Sequence, residues 1–171
     1  MTAARIERLY REHGHVVLRR ARDLLRSDAE ARDACQEIFL ELLQRPGQLT
    51  GVTRLTAWLY QVTTHHCLNK LRNRRGRLRL LAELDPRSEE VPARADQLAQ
   101  VRALLERLPE PLGEVAVYHY LDGMTYDEIA GLLGCSRRQV GYLIERLRAA
   151  VASDEAPAPL TGPAWPKEQE S

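Results

Sequence analysis

Apolar residues recur along this chain at intervals of three and four positions, and no stretch of useful length alternates strictly between apolar and polar residues. This spacing is typical of amphipathic helices and argues against half-buried strands. It predicts a first helix over 2–25 and a second over 28–45, with Asp28 as the N-cap of the second and Pro46 and Gly47 at its end. The predicted apolar stripe of the second helix is Ala31, Ala34, Cys35, Ile38, Phe39, Leu42 and Leu43.

A loop is predicted over 46–54, and a third helix from about Leu55 to Leu78. The composition then changes, because residues 82–97 hold five acids, two prolines and few large apolar groups. Such a segment is typical of a solvated linker without regular structure.

A second helical unit is predicted after this linker. Pro109 and Pro111 separate a helix near 98–108 from the next one, at about 112–121. Thr125 with Glu128 and Ser136 with Gln139 then form two successive capping-box patterns, each ahead of an apolar helical stripe. Gly134 between them is suited to end the first of the two helices, so the segment is predicted to be a helix-turn-helix.

The predicted fold is therefore all-α, with two small helical domains joined by a flexible acidic linker. The first domain is placed at 1–81, the linker at 82–97 and the second domain at 98–151. Residues 152–171 contain four of the nine prolines and are expected to form a disordered tail. This tail is either a frayed end or a regulatory contact.

Composition narrows the class of protein. The chain has 171 residues, no apolar run long enough to span a membrane and no apolar segment of the signal-peptide type, so no membrane insertion is expected. Three widely spaced cysteines argue against a disulfide framework and predict a cytoplasmic location. The formal net charge of +1 conceals an asymmetry, since residues 1–80 carry +8 and residues 81–171 carry −7. A polyanionic partner is therefore expected for the first half.

The segment 69–79 is a candidate nucleic-acid contact. It holds six basic residues and no acid, on the last part of the third predicted helix. Neutralising phosphates is the functional interpretation. A solvated helix end favoured by the helix dipole is the alternative. Just upstream, Tyr60 and His65 are placed to stack on single-stranded bases, whereas Trp58 is equally suited to the core.

Two further faces are ambiguous. The second helix carries an acidic polar face opposite its apolar stripe, which is either a solvated surface or a docking face for a basic partner. The last helix would bury Val140, Leu143, Ile144 and Leu147, and it would expose an arginine-rich face that is either a major-groove reader or a solvated surface.

No motif of a nucleotide-binding loop or of a serine hydrolase occurs, so the chain is not expected to be an enzyme and no cofactor is expected. The run of His65, His66 and Cys67 does not indicate a metal site, because adjacent residues on a helix point in different directions.

The order of these segments resembles the sigma-70 family of RNA polymerase sigma factors, specifically its extracytoplasmic-function (ECF) group, which keeps only regions 2 and 4. The resemblance covers about residues 5–150. It rests on DAEARDACQEIFLEL (28–42), TAWLYQVTTHHCLNKLRNRRGR (56–77), LLERLPEPLGEVAVYHYLDGMTYDEIAGLLGCSRRQVGYLIERLRAAV (104–151) and the acidic linker.

The resemblance implies a factor that is monomeric when free. It would bind core RNA polymerase through the largest and β subunits, place it at −35/−10 promoters and be controlled by an anti-sigma factor. The implied polymerase contacts are Asp33, Gln36, Glu37 and Glu41. The implied −10 contacts are Trp58, Tyr60, His65, Asn69, Lys70, Arg72, Arg74 and Arg75. The implied −35 contacts are Ser136, Arg137, Arg138, Gln139, Tyr142 and Arg146.

The sequence departs from the family pattern at two points. His65 stands where many members have Asn on the −10 face, and Leu143 stands where the recognition helix often has Arg. Two alternative functions stay open: a stand-alone helix-turn-helix regulator, and a sigma-like decoy that titrates an anti-sigma factor. The basic residues at 70–79 and the Arg137–Arg138 pair argue against a decoy, which would not need them.

Overall fold

The computed structural model of the protein describes residues 3–45, 49, 52, 54–84 and 97–153. In these ranges all regular elements are helical and no strand occurs, which confirms the predicted all-α fold. The α-helices are α1 (Ala3–Leu25), α2 (Asp28–Gln44), α3 (Leu55–Leu84), α4 (Gln97–Arg107), α5 (Leu112–Ala116), α6 (Tyr126–Leu133) and α7 (Arg137–Ser153).

The chain divides into two compact units, Met1–Asn73 and Arg74–Ser171, so the division falls within α3. Most of the predicted acidic linker and the predicted tail beyond Ser153 lie outside the described residues, as do Pro46 and Gly47. Within the described ranges, no helix is both long enough and apolar enough to cross a bilayer.

The first unit is held together by apolar side chains from α1, α2 and α3. The stripes that helical periodicity predicts on α1 and α2 face one another, because residues three and four apart share a helix face. Leu59 brings α3 into the same core and is fully buried, and Trp58 packs partly buried against it. The core cluster consists of Ile6, Leu9, Val17, Cys35, Ile38, Phe39, Leu42 and Leu59.

Three details of the first unit differ from the sequence-based expectation. The N-cap of α2 is Ser27, whose Oγ accepts a hydrogen bond from the backbone N–H of Glu30, so Asp28 is the first helical residue. Leu43 lies at the margin of the apolar stripe and is 46% exposed. Helix α3 continues to Leu84, past the expected end at Leu78 and into the segment predicted as linker.

In the second unit, α4 buries Leu105, and Leu108 just after the helix is also buried, whereas Val101 is 39% exposed. The single helix predicted over 112–121 is in fact α5 followed by a π-helical turn, Val117–Leu121. The turn is closed by the backbone N–H of Asp122, which donates to the carbonyl of Val117 at 3.0 Å.

Both predicted capping boxes are present around the helix-turn-helix. Thr125 Oγ1 accepts from the backbone N–H of Glu128, and the Glu128 carboxylate accepts from the backbone N–H of Thr125. Ser136 and Gln139 make the same reciprocal pair at the start of α7. Gly134 ends α6 with φ = 64°, in the left-handed region that glycine adopts without steric cost.

Candidate nucleic-acid interface

The first turn of α7 is exposed and basic. Arg137, Arg138 and Gln139 are all exposed there, and Tyr142 follows with 58% of its surface exposed. The opposite face is buried through the four residues that periodicity predicts: Val140, Leu143, Ile144 and Leu147. Because this packing fixes the helix on α5 and α6, the exposed side chains are held on a rigid element.

The two adjacent arginines have different surroundings. Arg137 Nε lies 3.4 Å from Asp127 Oδ2, and its guanidinium lies 6.0 Å from the centre of the Tyr126 ring. Arg138 makes no ion pair with the part of the chain that the structure describes. The first arginine is therefore already engaged by α6, whereas the second is available to a ligand.

Further along α7, the arginines pack on tyrosines. Arg146 is half-buried, with its guanidinium 6.0 Å from the Tyr142 ring centre. Arg148 Nε donates to the Tyr120 hydroxyl at 3.3 Å and its terminal nitrogen donates to Glu145 at 2.7 Å. The π-helical turn thus supplies a hydroxyl that supports α7, a contact that the helical pattern of the sequence did not indicate.

The exposure of the basic residues changes along α3. Arg74, Arg75 and Arg77 are exposed. Lys70 and Arg72 are half-buried and bonded, since Lys70 Nζ lies 2.7 Å from both carboxylate oxygens of Glu37 and Arg72 donates to the amide oxygen of Asn69. The exposed part of the basic segment, which we call the arginine ridge (Arg74, Arg75 and Arg77), is suited to contact phosphates.

The polar residues before the arginine ridge are held by one another. His65 Nε2 lies 2.8 Å from the side-chain amide nitrogen of Asn69, so the imidazole accepts from the amide. Tyr60 is half-buried beneath a guanidinium, because Arg20 lies 4.1 Å from its ring centre and also donates to Thr64 Oγ1 at 3.1 Å. Arg20 is almost completely buried, and its role in supporting Tyr60 was not predicted from the sequence.

The exposed face of α2 combines acids with apolar side chains. Asp33, Gln36 and Glu37 are exposed on it, and Leu40 is 48% exposed between them and Leu43. Glu41 lies at its end, 3.7 Å from the guanidinium of Arg45. We call this surface the α2 face (Asp33, Gln36, Glu37, Leu40 and Leu43). It has the mixed character of a small protein-binding patch.

Comparison with protein families identifies the chain. The family model of Sigma-70 region 2 matches residues 9–77, and the model of Sigma-70 region 4 matches residues 98–151, which together are more than two thirds of the chain. The chain belongs to the sigma-70 family. The first match contains the α2 face and the arginine ridge, and the second contains the helix-turn-helix.

Individual relatives agree with this membership. The chain is 30% identical over 83% of its length to the ECF RNA polymerase sigma factor SigE of Mycolicibacterium smegmatis, covering 58% of that protein. It is 29% identical over 85% of its length to the ECF factor SigM of Mycobacterium tuberculosis, covering 74% of it. It is 32% identical over 77% of its length to RfaY of Xanthomonas campestris pv. campestris, which is named a probable RNA polymerase sigma factor, and it spans 35% of that relative. These matches confirm the resemblance to the ECF group.

Within this sigma-70 family chain, the structure joins residues that the sequence assigned to two separate surfaces. Glu37 is predicted to contact the polymerase and Lys70 to contact −10 DNA, yet the Lys70 ammonium donates to the Glu37 carboxylate. His66 Nε2 lies 2.8 Å from the same carboxylate. Burial alone would raise the pKa of Glu37, but hydrogen bonds from Lys70 and His66 outweigh it and lower that pKa. The carboxylate is therefore charged and already engaged.

The run His65, His66 and Cys67 does not converge on one point. The first contacts Asn69, the second contacts Glu37, and the third is fully buried. Burial raises the pKa of the Cys67 thiol to about 12. A thiol in this environment is inert at neutral pH.

Proposed function

We propose that this protein is a non-enzymatic transcription initiation factor that binds core RNA polymerase and directs it to promoters with −35 and −10 elements. The observation that carries the proposal is the presence of both sigma-70 regions in one chain, each with its own exposed cationic surface. The three relatives are all named as RNA polymerase sigma factors, which supports the same function.

In this proposal, the α2 face binds core polymerase, through its largest subunit. Asp33, Gln36, Glu37 and Glu41 provide the polar contacts, and the exposed Leu40 and Leu43 add apolar area beyond the contacts that the family resemblance implies. An apolar centre with a charged rim is the usual composition of such an interface. The proposal also includes contacts with the β subunit.

The −10 strand is assigned to α3. Arg74 and Arg75 would neutralise its phosphates, and Tyr60 and His65 would contact unstacked bases. Trp58 packs against the core of the first unit, so its contribution to a base contact is limited to the edge that stays accessible. The other proposed −10 contacts are Asn69, Lys70 and Arg72.

The −35 duplex is assigned to the first turn of α7. Arg138 would read a guanine edge in the major groove, and Gln139 and Tyr142 lie along the same exposed side. Ser136 caps the helix, whose N-terminal dipole favours a nearby phosphate. Arg137 and Arg146 complete the proposed set, each in contact with an aromatic ring of its own unit.

Each surface is small, so tight promoter binding would require both to act together on one polymerase. A net charge of +1 fits a monomer that binds free DNA poorly. An anti-sigma factor that covers either surface would abolish this cooperation, and we include such control in the proposal.

The decisive experiment is gel filtration of the chain with core RNA polymerase, followed by transcription from a pool of genomic fragments. Co-elution with discrete start sites that depend on the chain is the expected result. Tight duplex binding without co-elution would favour a stand-alone regulator. Absence of both would favour a decoy for an anti-sigma factor.

A second test addresses the arginine ridge. Reversing Arg74 and Arg75 to Glu should weaken holoenzyme binding to all promoters and reduce its salt dependence, by about 0.7 in the log–log slope for each single-strand phosphate that the variant no longer neutralises. Reversing Arg5 and Arg19, two exposed arginines on α1, changes the net charge equally and serves as the control. Equal effects of the two double variants would contradict the assignment.

A further inference from the structure

Glu37 belongs to one proposed binding surface and holds a residue of another. Its carboxylate projects from α2, on the polymerase side of the proposal, and Lys70 Nζ on α3 lies 2.7 Å from each of its oxygens. His66 occupies the same carboxylate at 2.8 Å, one turn before Lys70. The Glu37–Lys70 ion pair therefore links the α2 face to the beginning of the basic segment 69–79.

The link competes with DNA. An ammonium group that donates to both oxygens of a carboxylate cannot make the same contacts to a phosphate at the same time. Lys70 is also less accessible than the arginine ridge, because its side chain is only 29% exposed, whereas all three arginines of the ridge are exposed. In the free chain, Glu37 thus stands where a DNA phosphate would stand.

We propose that the Glu37–Lys70 ion pair is an autoinhibitory contact that opens when core polymerase binds. This inference rests on the proposed function, because it requires a cationic group of the polymerase to take Glu37. Once that group pairs with Glu37, Lys70 is released and adds one cation to the surface that meets the −10 strand. The coupling is reciprocal, so DNA bound at Lys70 equally favours polymerase binding at Glu37.

The expected size follows from the exposure of the pair. Partly exposed ion pairs contribute little, so opening this one should change DNA affinity by roughly two- to fivefold. One more phosphate contact should also steepen the log–log salt dependence of single-strand binding by about 0.7. Both effects are modest. A general reduction of negative charge, however, adds no phosphate contact and therefore does not steepen the salt dependence by this amount.

The first experiment uses the free chain and a fluorescein-labelled oligothymidylate, with binding followed by anisotropy over a series of salt concentrations. Glu37→Gln should bind the oligonucleotide more tightly and with the steeper slope. Asp23→Asn removes one exposed acid of α1 and is the charge-matched control. Circular dichroism checks that each variant is folded.

A double-mutant cycle identifies Lys70 as the group released. In a Lys70→Gln background, Glu37→Gln should give no more than the small change seen for Asp23→Asn. The inference is overturned if Glu37→Gln changes the affinity equally in both backgrounds, or if its effect equals that of Asp23→Asn. It is also overturned if no variant binds the oligonucleotide at the lowest salt concentration of the series.

The second experiment compares the free chain with the holoenzyme. Lys70→Gln should hardly affect oligonucleotide binding by the free chain, where Lys70 is held, and should weaken binding of a −10 strand by the holoenzyme several-fold. Arg75→Gln, on the arginine ridge, should weaken both. Equal effects of Lys70→Gln in the two states would overturn the inference. If the chain does not bind core polymerase, the proposed function fails, while the cycle on the free chain still reports whether Glu37 masks Lys70.

Discussion

Replacing Arg138 with alanine should weaken the −35 interaction far more than replacing Arg137, although the two are neighbours on the first turn of α7. Arg138 is exposed and forms no ion pair within the described ranges, so a guanine edge can engage its full donor set. Arg137 forms an ion pair with Asp127 and lies near the Tyr126 ring, so a contact of its guanidinium with DNA competes with these partners.

The magnitudes follow from the exposure of these groups. A bidentate contact between arginine and guanine is worth about 1–3 kcal/mol, or roughly 5- to 150-fold in affinity. The Arg137–Asp127 pair spans 3.4 Å between side chains that are 69% and 76% exposed. Such exposed pairs are worth about 0.2–1 kcal/mol, so Asp127→Asn should tighten −35 binding by at most roughly fivefold.

The assay is competition between duplexes with single −35 base-pair changes for holoenzyme, at one fixed ionic strength because phosphate contacts make affinity salt-dependent. Arg138→Ala should lose its preference at one base pair and keep it elsewhere. Arg137→Ala should cost more in an Asp127→Asn background than in the wild type. The reasoning is refuted if Arg137→Ala costs as much as Arg138→Ala, or if base preferences do not change in either variant.

Three further predictions concern the scaffold. Leu59→Ala should destabilise the first unit by about 2–5 kcal/mol, because Leu59 is fully buried, and urea unfolding followed by Trp58 fluorescence should show it. Gly76→Ala should stabilise α3 by up to about 1 kcal/mol, since an added Cβ meets nothing within 4 Å; an unchanged helical melting curve would contradict this. At pH 8 a thiol reagent should label the half-buried Cys135 before Cys67, whose pKa of about 12 and complete burial leave almost no reactive thiolate, and mass spectrometry of the folded chain tests that order.

The features that could be predicted from the sequence are those with local causes. The capping boxes at Thr125 and Ser136 are visible because both partners lie three residues apart, and the turn at Gly134 is visible because glycine is suited to its positive φ. The buried face of α7 follows from periodicity alone. Asp28 is chemically suited to be an N-cap, but Ser27 just before it has the hydroxyl that reaches the backbone N–H of Glu30.

Features that depend on distant residues could not be predicted in this way. The Glu37–Lys70 bond joins residues 33 positions apart, and Arg20 reaches Thr64 across 44 positions. A single sequence gives no signal for either contact. The exposure of Leu43 has a related cause, since a residue at the margin of a helical stripe is buried only if a neighbouring element covers it. Candidate surfaces could therefore be proposed from the sequence, but the bonds between their residues could not be predicted.

The π-helical turn Val117–Leu121 changes the hydrogen-bond spacing at the end of the helix that α5 begins. In an unbroken α-helix, Leu121 would lie one turn above Val117, which is fully buried, and would share its side. In the wider ring, which Asp122 closes on Val117, Leu121 is 48% exposed. The turn holds one residue more in each hydrogen-bonded ring than an α-helical turn does. At this point of the fold, the number of residues governs which side chains meet solvent as strongly as their chemistry does.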